Sequence, residues 1–74
     1  MFKGHMLMRI ELNGRMQEVT ARTVSELVAE IVAPGHQDAG IAVAIEGTVI
    51  PRSQWLRRLH PSDRVDILTA IQGG

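Results

Sequence analysis

One segment of this chain carries the apolar stripe of an amphipathic helix, and the need to cover that stripe constrains the fold most. Thr23 and Glu26 have capping-box spacing, which predicts that the helix begins there, and Pro34-Gly35 predicts its end. A single helix cannot bury an apolar stripe alone, so we expect a sheet to pack against it. The stripe consists of Val24, Leu27, Val28 and Ile31.

Segments typical of strands lie on both sides of this helix. Met8 to Leu12 alternates apolar with polar residues, and Asn13-Gly14 follows as a strong hairpin signal, so a second strand is expected over 16–21. After the helix, strands are expected over 41–46, 48–50 and 65–71, with a turn at 61–63 and a short helix near Ser53-Leu59 that Ser53 begins. The last strand is apolar on both faces, which favours a central position.

These elements predict an α+β fold in which one mixed sheet of four to five strands packs on one main helix. The chain has 74 residues, enough for one domain, and it has no cysteine. Disulfides, zinc–thiolate sites and a cysteine nucleophile are therefore excluded, and a reducing compartment such as the cytoplasm is expected. Eight basic residues balance eight acidic ones, which argues against a nucleic-acid-binding protein. No apolar run approaches the length of a membrane span.

The polar residues form no pattern typical of an active site. The histidines have no ligand-like spacing, and Asp63 and Asp66 are interpreted as turn or surface residues. We therefore expect neither a metal site nor an enzyme. A basic stretch is interpreted as a solvated face, with docking to an acidic partner as the alternative; it comprises Arg52, Arg57, Arg58, His60 and Arg64. Trp55 is expected at the edge of the core, with a share in a partner interface as the alternative.

The two ends of the chain differ in what they predict. Residues 1–5 are interpreted as a vector-derived or disordered start, 6–72 as a single domain, and 73–74 as a flexible Gly-Gly tail. From Ala70 to Gly74 an extended chain reaches about 13 Å. Gly73 and Gly74 have no Cβ, so they suit a narrow channel in which the terminal carboxylate meets a reactive group. A frayed tail without a role is the alternative.

The run from Ala42 to Trp55, AVAIEGTVIPRSQW, resembles the ThiS proteins, which are sulfur carriers of the thiamine pathway. The early strand with Asn13-Gly14, the helix start at Thr23 and the terminal Gly73-Gly74 follow in matching order, so the similarity covers nearly all of the chain after Met6. Three features depart from the family pattern, one of them the loop from His36 to Gly40, which carries no family signature. The turn before the last strand is Pro61-Ser62-Asp63-Arg64, and Gln72 precedes the glycines.

The resemblance implies a β-grasp, ubiquitin-like fold and a role as a cosubstrate. The Gly74 carboxylate would be adenylated by a ThiF-like activating enzyme, which itself uses ATP and Mg²⁺, so this chain would bind no cofactor. Sulfur from a cysteine desulfurase system would then give a C-terminal thiocarboxylate, and a ThiG-like thiazole synthase would accept the sulfur.

Other functions stay open on the sequence alone. They are a sulfur carrier for molybdopterin or cysteine synthesis, a ubiquitin-like modifier, and an interaction module whose tail does no chemistry. For the docking surface we expect the sheet face near the tail, because one helix leaves an apolar last strand incompletely covered. The residues expected there are Ile50, Trp55, Leu68, Ala70 and Ile71.

Overall fold

The computed structural model describes residues 7–32 and 40–69. Within them the chain forms five strands, one α-helix and a short 3₁₀ helix at Arg52–Gln54. The strands and helix follow the order β-β-α-β-β-β, with the 3₁₀ helix before the last strand. Their bounds are β1 Met8–Leu12, β2 Arg15–Val19, α1 Val24–Ile31, β3 Ile41–Ile45, β4 Thr48–Val49 and β5 Arg64–Thr69.

All five strands belong to one mixed sheet, in the order β2-β1-β5-β3-β4. β5 is its central strand and is parallel to β1 and antiparallel to β3. The two hairpins β1–β2 and β3–β4 form the outer parts of the sheet. The expected α+β class, the mixed sheet and the central last strand are therefore confirmed.

Helix α1 begins as the capping box predicts, with one difference. The Glu26 backbone N–H donates to the Thr23 hydroxyl at 3.1 Å. The Glu26 carboxylate accepts from the backbone N–H of Arg22 at 2.7 Å, one residue before the cap. The helix ends at Ile31, because Val32 is extended and its N–H closes the last turn on the Val28 carbonyl at 2.8 Å.

One side of the sheet faces α1 and carries the core. Val24, Leu27 and Val28 are buried against alternate residues of the strands, as the stripe predicts, and Ile31 packs at the edge. The strand residues on this inner face are Ile10, Leu12, Val19, Val43, Ile45, Val65 and Ile67. No polar or charged side chain is buried in the described part of the chain. The core therefore depends on apolar burial, about 25 cal/mol for each Å² removed from water.

Several expected boundaries differ from the structure by one residue, and two elements differ by more. The second strand covers Arg15–Val19 rather than 16–21, because Thr20 leaves the pairing with β1. The short helix occupies Arg52–Gln54 and is preceded by Pro51, so Ser53 is not its cap. After the 3₁₀ turn, the carbonyls of Trp55 and Arg57 accept from the backbone N–H groups of Ser25 and Val24 at the start of α1.

Candidate functional site at the end of the last strand

The central strand β5 leads towards the terminal glycines, so its surroundings define the candidate site. On one side β5 pairs with β3 along its length, from Ile45↔Val65 to Ile41↔Thr69. On the other side its register with β1 comprises Glu11↔Arg64 and Leu12↔Val65. β1 thus leaves β5 early, where the chain turns at Asn13-Gly14.

Asn13 compensates for this early departure of β1. Its backbone N–H donates to the Val65 carbonyl at 2.9 Å. Its side-chain Oδ1 accepts from the Ile67 N–H at 2.8 Å, and its Nδ2 donates to the Ile67 carbonyl at 3.3 Å. A carboxamide carries the same donor and acceptor as a peptide group. The Asn13 side chain therefore continues the pairing of β5 where the β1 backbone has turned away.

The outer face of the sheet has two different halves. On the β1–β2 half, charged residues pair across strands: Arg9 with Glu18 at 3.9 Å, and Glu11 with Arg64 of β5 at 3.8 Å. On the β3–β4–β5 half the cross-strand partners Ala42↔Leu68 and Ala44↔Val49 are apolar, and the half-buried Asp66 of β5 lies opposite Ala44 as the one acidic residue among them. Leu68 and Val49 are each 67% exposed. We call Ala42, Ala44, Val49 and Leu68 the outer apolar patch.

Of the predicted docking residues, Leu68 lies in this patch. Ile50 and Trp55 do not, because they are 4% and 8% exposed and belong to the core. The Trp55 indole N–H donates to the Ile50 carbonyl at 3.1 Å, which secures both residues to the folded body. Both side chains are therefore separate from the outer apolar patch, although Trp55 also lines a groove beside α1, and the prediction that they share a surface with Leu68 is corrected. Ala70, Ile71, Gly73 and Gly74 lie outside the described residues.

Residues 51–55, the PRSQW end of the run that resembles the ThiS proteins, lie on the helix side of the molecule. The Arg52 guanidinium lies 4.7 Å from the centroid of the Trp55 ring, within the range of a cation–π contact. Both residues line a shallow groove of about 360 Å³ beside α1, together with Ser25, Val28 and Leu56. The interpretation of Trp55 as a residue at the core edge is thus confirmed.

The basic stretch does not converge on one site. Arg57 and Arg58 are exposed where their segment contacts the start of α1. Arg64 pairs with Glu11 on the outer face, and the His60 N–H donates to the Asp63 carboxylate at 2.9 Å. Asp63 is thus a turn residue, as expected. Among residues 7–32 and 40–69, no three His, Asp or Glu side chains gather as metal ligands, and no helix could span a membrane.

The arrangement has the topology of the β-grasp fold, and comparison with a solved structure shows the same fold. The crystal structure of a thiamine biosynthesis protein (ThiS) from Geobacter metallireducens superimposes with a TM-score of 0.66 at 23% sequence identity. The match covers 90% of this chain and 100% of that one. No curated protein sequence gives a significant match.

The family is shown by the sequence. The model described as the ThiS family matches residues 10–74, which is most of the chain and includes both terminal glycines. The chain therefore belongs to the ThiS family.

Sequence reasoning missed the role of Asn13. It identified Asn13-Gly14 as a turn, and the backbone angles confirm this with φ of 50° and 87°. The bonds from the Asn13 side chain to Ile67 join residues 54 positions apart. Only the parallel β1–β5 pairing brings these residues together. The presence of Asn at the first turn position is compatible with a contact to another strand. The sequence could not indicate that contact, because Asn is also favoured at this position by the turn itself.

Proposed function

We propose that this chain is a sulfur carrier for thiamine biosynthesis and that it works through the Gly74 carboxylate. One observation carries the proposal: the family match extends over residues 10–74 and so includes the glycines that would be modified. The name of the similar Geobacter structure also points to thiamine biosynthesis. The central position of β5 adds support, because a strand that is paired on both sides leads into the tail.

The first chemical step would activate the carboxylate. A carboxylate is a poor electrophile because resonance spreads its negative charge over both oxygens. A Gly74 oxygen would attack the α-phosphorus of ATP, pyrophosphate would leave, and an acyl adenylate would form. ATP and Mg²⁺ would be held by an adenylating, ThiF-like enzyme. The role of this chain would be to present an unhindered carboxylate, for which terminal glycines are suited.

The second step would exchange oxygen for sulfur. The terminal sulfur of a persulfide, supplied by a cysteine desulfurase system, would attack the acyl carbon and displace AMP. The product is an acyl disulfide, and a thiol must reduce its S–S bond to release the thiocarboxylate. A ThiG-like thiazole synthase would then take the sulfur. The chain would be a cosubstrate in each step and would supply no acid, base or nucleophile other than its own terminus.

The outer apolar patch would be the docking surface for the activating enzyme. It lies on β5 and the adjacent hairpin, and Leu68 is one residue from Thr69, where the described part of the chain ends. Exposed apolar side chains grouped on one face are typical of a protein interface. A partner that covers Leu68 and Val49 would hold the folded domain while the tail enters its site.

The proposal is tested by exchange of labelled pyrophosphate into ATP, catalysed by the activating enzyme of the thiamine pathway. We expect exchange to depend on this chain and to disappear when Gly74 is deleted. Exchange that persists after the deletion would contradict adenylation at Gly74. If no activating enzyme of a sulfur-carrier pathway supports exchange, a plain interaction module becomes the better account. Isopeptide-linked adducts would instead indicate a ubiquitin-like modifier.

The same assay tests which biosynthetic pathway the carrier serves. Exchange with the activating enzyme of molybdopterin or cysteine synthesis, and not with that of the thiamine pathway, would assign the chain to one of those pathways. The carrier mechanism would then stand with a different acceptor.

A further inference from the structure

The two hairpin turns of the sheet have the same backbone form and secure opposite ends of β5. Asn13-Gly14 has φ of 50° and 87°, and Glu46-Gly47 has φ of 52° and 82°. In each turn the first residue uses its side chain to accept from a β5 backbone N–H. Asn13 accepts from Ile67 at 2.8 Å near the end of β5, and Glu46 accepts from Arg64 at 2.9 Å at its start.

The two contacts differ in what they hold. Glu46 acts where β5 enters the sheet: its side chain accepts from the Arg64 N–H, and its own backbone N–H donates to the Arg64 carbonyl at 2.8 Å. Asn13 holds Ile67 by both its N–H and its carbonyl. Its backbone also donates to Val65 at 2.9 Å. Without the side chain, β5 would lose its pairing on the β1 side after Val65, because β1 ends at Leu12.

We propose that Asn13 is a positioning residue for the tail. Its carboxamide replaces the missing β1 backbone beside Ile67 and fixes the direction in which β5 leads to Gly74. The inference rests on the proposed function, in which Gly74 must reach a reactive phosphorus. Small displacements of a reacting group are costly, since a misplacement of about 1 Å lowers a rate by about 100-fold. A fixed base therefore raises the fraction of bound chains whose carboxylate is productively placed.

Asparagine meets two requirements at this position. It tolerates the positive φ of the turn better than most residues do. It also supplies both a donor and an acceptor, whereas aspartate supplies acceptors alone and glycine supplies neither. Asn13→Gly is thus an informative variant, because glycine keeps the turn and removes the contact with Ile67.

The test compares Asn13→Gly with Glu46→Gly, which makes the same change at the other end of β5. Amide exchange of Ile67 and Arg64 and steady-state kinetics of adenylate formation are measured for both variants. For Asn13→Gly we expect exchange at Ile67 to be about fivefold to tenfold faster, as follows from the loss of one typical hydrogen bond. We also expect kcat to fall about tenfold with KM nearly unchanged, because the docking patch is intact.

For Glu46→Gly we expect faster exchange at Arg64 and a kcat within about twofold of the parent, although its turn has lost the matching bond. Asn13→Asp keeps the acceptor for the Ile67 N–H and should recover part of the lost kcat. Equal losses of kcat in the two glycine variants would show a purely structural role and overturn the proposal, as would an unchanged kcat in Asn13→Gly.

The outcomes separate this inference from the proposed function. If the parent chain is not adenylated at all, the proposed function fails. The exchange rates then decide the remaining claim, that Asn13 holds the end of β5. Unchanged exchange at Ile67 in Asn13→Gly would overturn that claim, whatever the kinetics show.

Discussion

Both faces of the sheet carry apolar residues, but these are buried on the inner face and exposed on the outer face. On the inner face, alternate valines, isoleucines and leucines are almost completely buried against α1. On the outer face of the same strands, Leu68 and Val49 are 67% exposed. Apolar residues on the inner face are explained by the stability of the fold. The exposed apolar residues of the outer apolar patch contribute little to the stability of the fold, so stability does not explain why they are apolar.

The outer face of the sheet also differs between its two halves. Where β1 and β2 lie, cross-strand ion pairs take most positions, and Met16 opposite Glu11 is the exposed apolar exception. Where β3, β4 and β5 lie, alanine, valine and leucine take most of the equivalent positions, and Asp66 opposite Ala44 is the exception. A chain that needed only solubility would gain from charges on both halves. The apolar half is therefore where we expect a partner, beside the strand that carries the tail.

The largest effect is expected from truncating the inner face. Leu27→Ala should lower the free energy of unfolding by about 2–5 kcal/mol, because Leu27 is fully buried and its loss leaves a cavity. Denaturant unfolding monitored by circular dichroism measures this. Leu68→Ala is the control on the outer face and should stay within about 0.5 kcal/mol of the parent. Equal losses at both sites would remove the distinction between the faces.

The next effect concerns docking. Leu68→Asp should weaken binding to the activating enzyme at least tenfold, about 1.4 kcal/mol, because it buries a charge in the proposed interface. Titration calorimetry measures the dissociation constant. Leu56→Asp is the matched control, since Leu56 is 80% exposed and lies on the helix side. An unchanged affinity for Leu68→Asp, or an equal loss for both variants, would refute docking through the outer apolar patch.

A smaller effect is expected where the helix that covers the inner face begins. Thr23→Ala removes the acceptor of the Glu26 N–H and should cost about 1 kcal/mol of unfolding free energy. Thr23→Ser keeps that acceptor and should restore most of the loss. If serine and alanine were equally destabilising, the hydroxyl contact would not be the cause.

The smallest effect is expected on the charged half of the outer face. The Arg9–Glu18 pair is more than half exposed on both sides. A double-mutant cycle with alanine should give a coupling of about 0.2–1 kcal/mol, reduced in high salt. A coupling above about 2 kcal/mol would show that the charged half is structural, and the contrast between the halves would need another explanation.

The sequence predicted much of the fold because its strongest signals are local. The stripe from Val24 to Ile31 defines the helix, Asn13-Gly14 defines a turn, and the apolar run 65–71 indicated a central strand. The burial of Ile50 and Trp55 depends on how the segment after β4 packs over the core, and sequence spacing does not determine that packing. The same holds for the contact of Asn13 with Ile67, which requires two distant segments to be in register.

The candidate site was predicted in part. Leu68 was expected on an uncovered face because the chain has one helix and its last strand is apolar on both sides, and the structure places Leu68 there. The other half of that patch was missed. Val49 follows a turn and belongs to a two-residue strand, so its face was known only once the Ala44↔Val49 pairing was seen.

The most direct test of the account is the intact mass of the chain after incubation with the activating enzyme of the thiamine pathway, ATP, a persulfide donor and a thiol. We expect a gain equal to the replacement of one oxygen by sulfur, located at Gly74 by fragmentation and absent when Gly74 is deleted. A folded chain that gains neither AMP nor sulfur, or one that gains sulfur after Gly74 is removed, would contradict it.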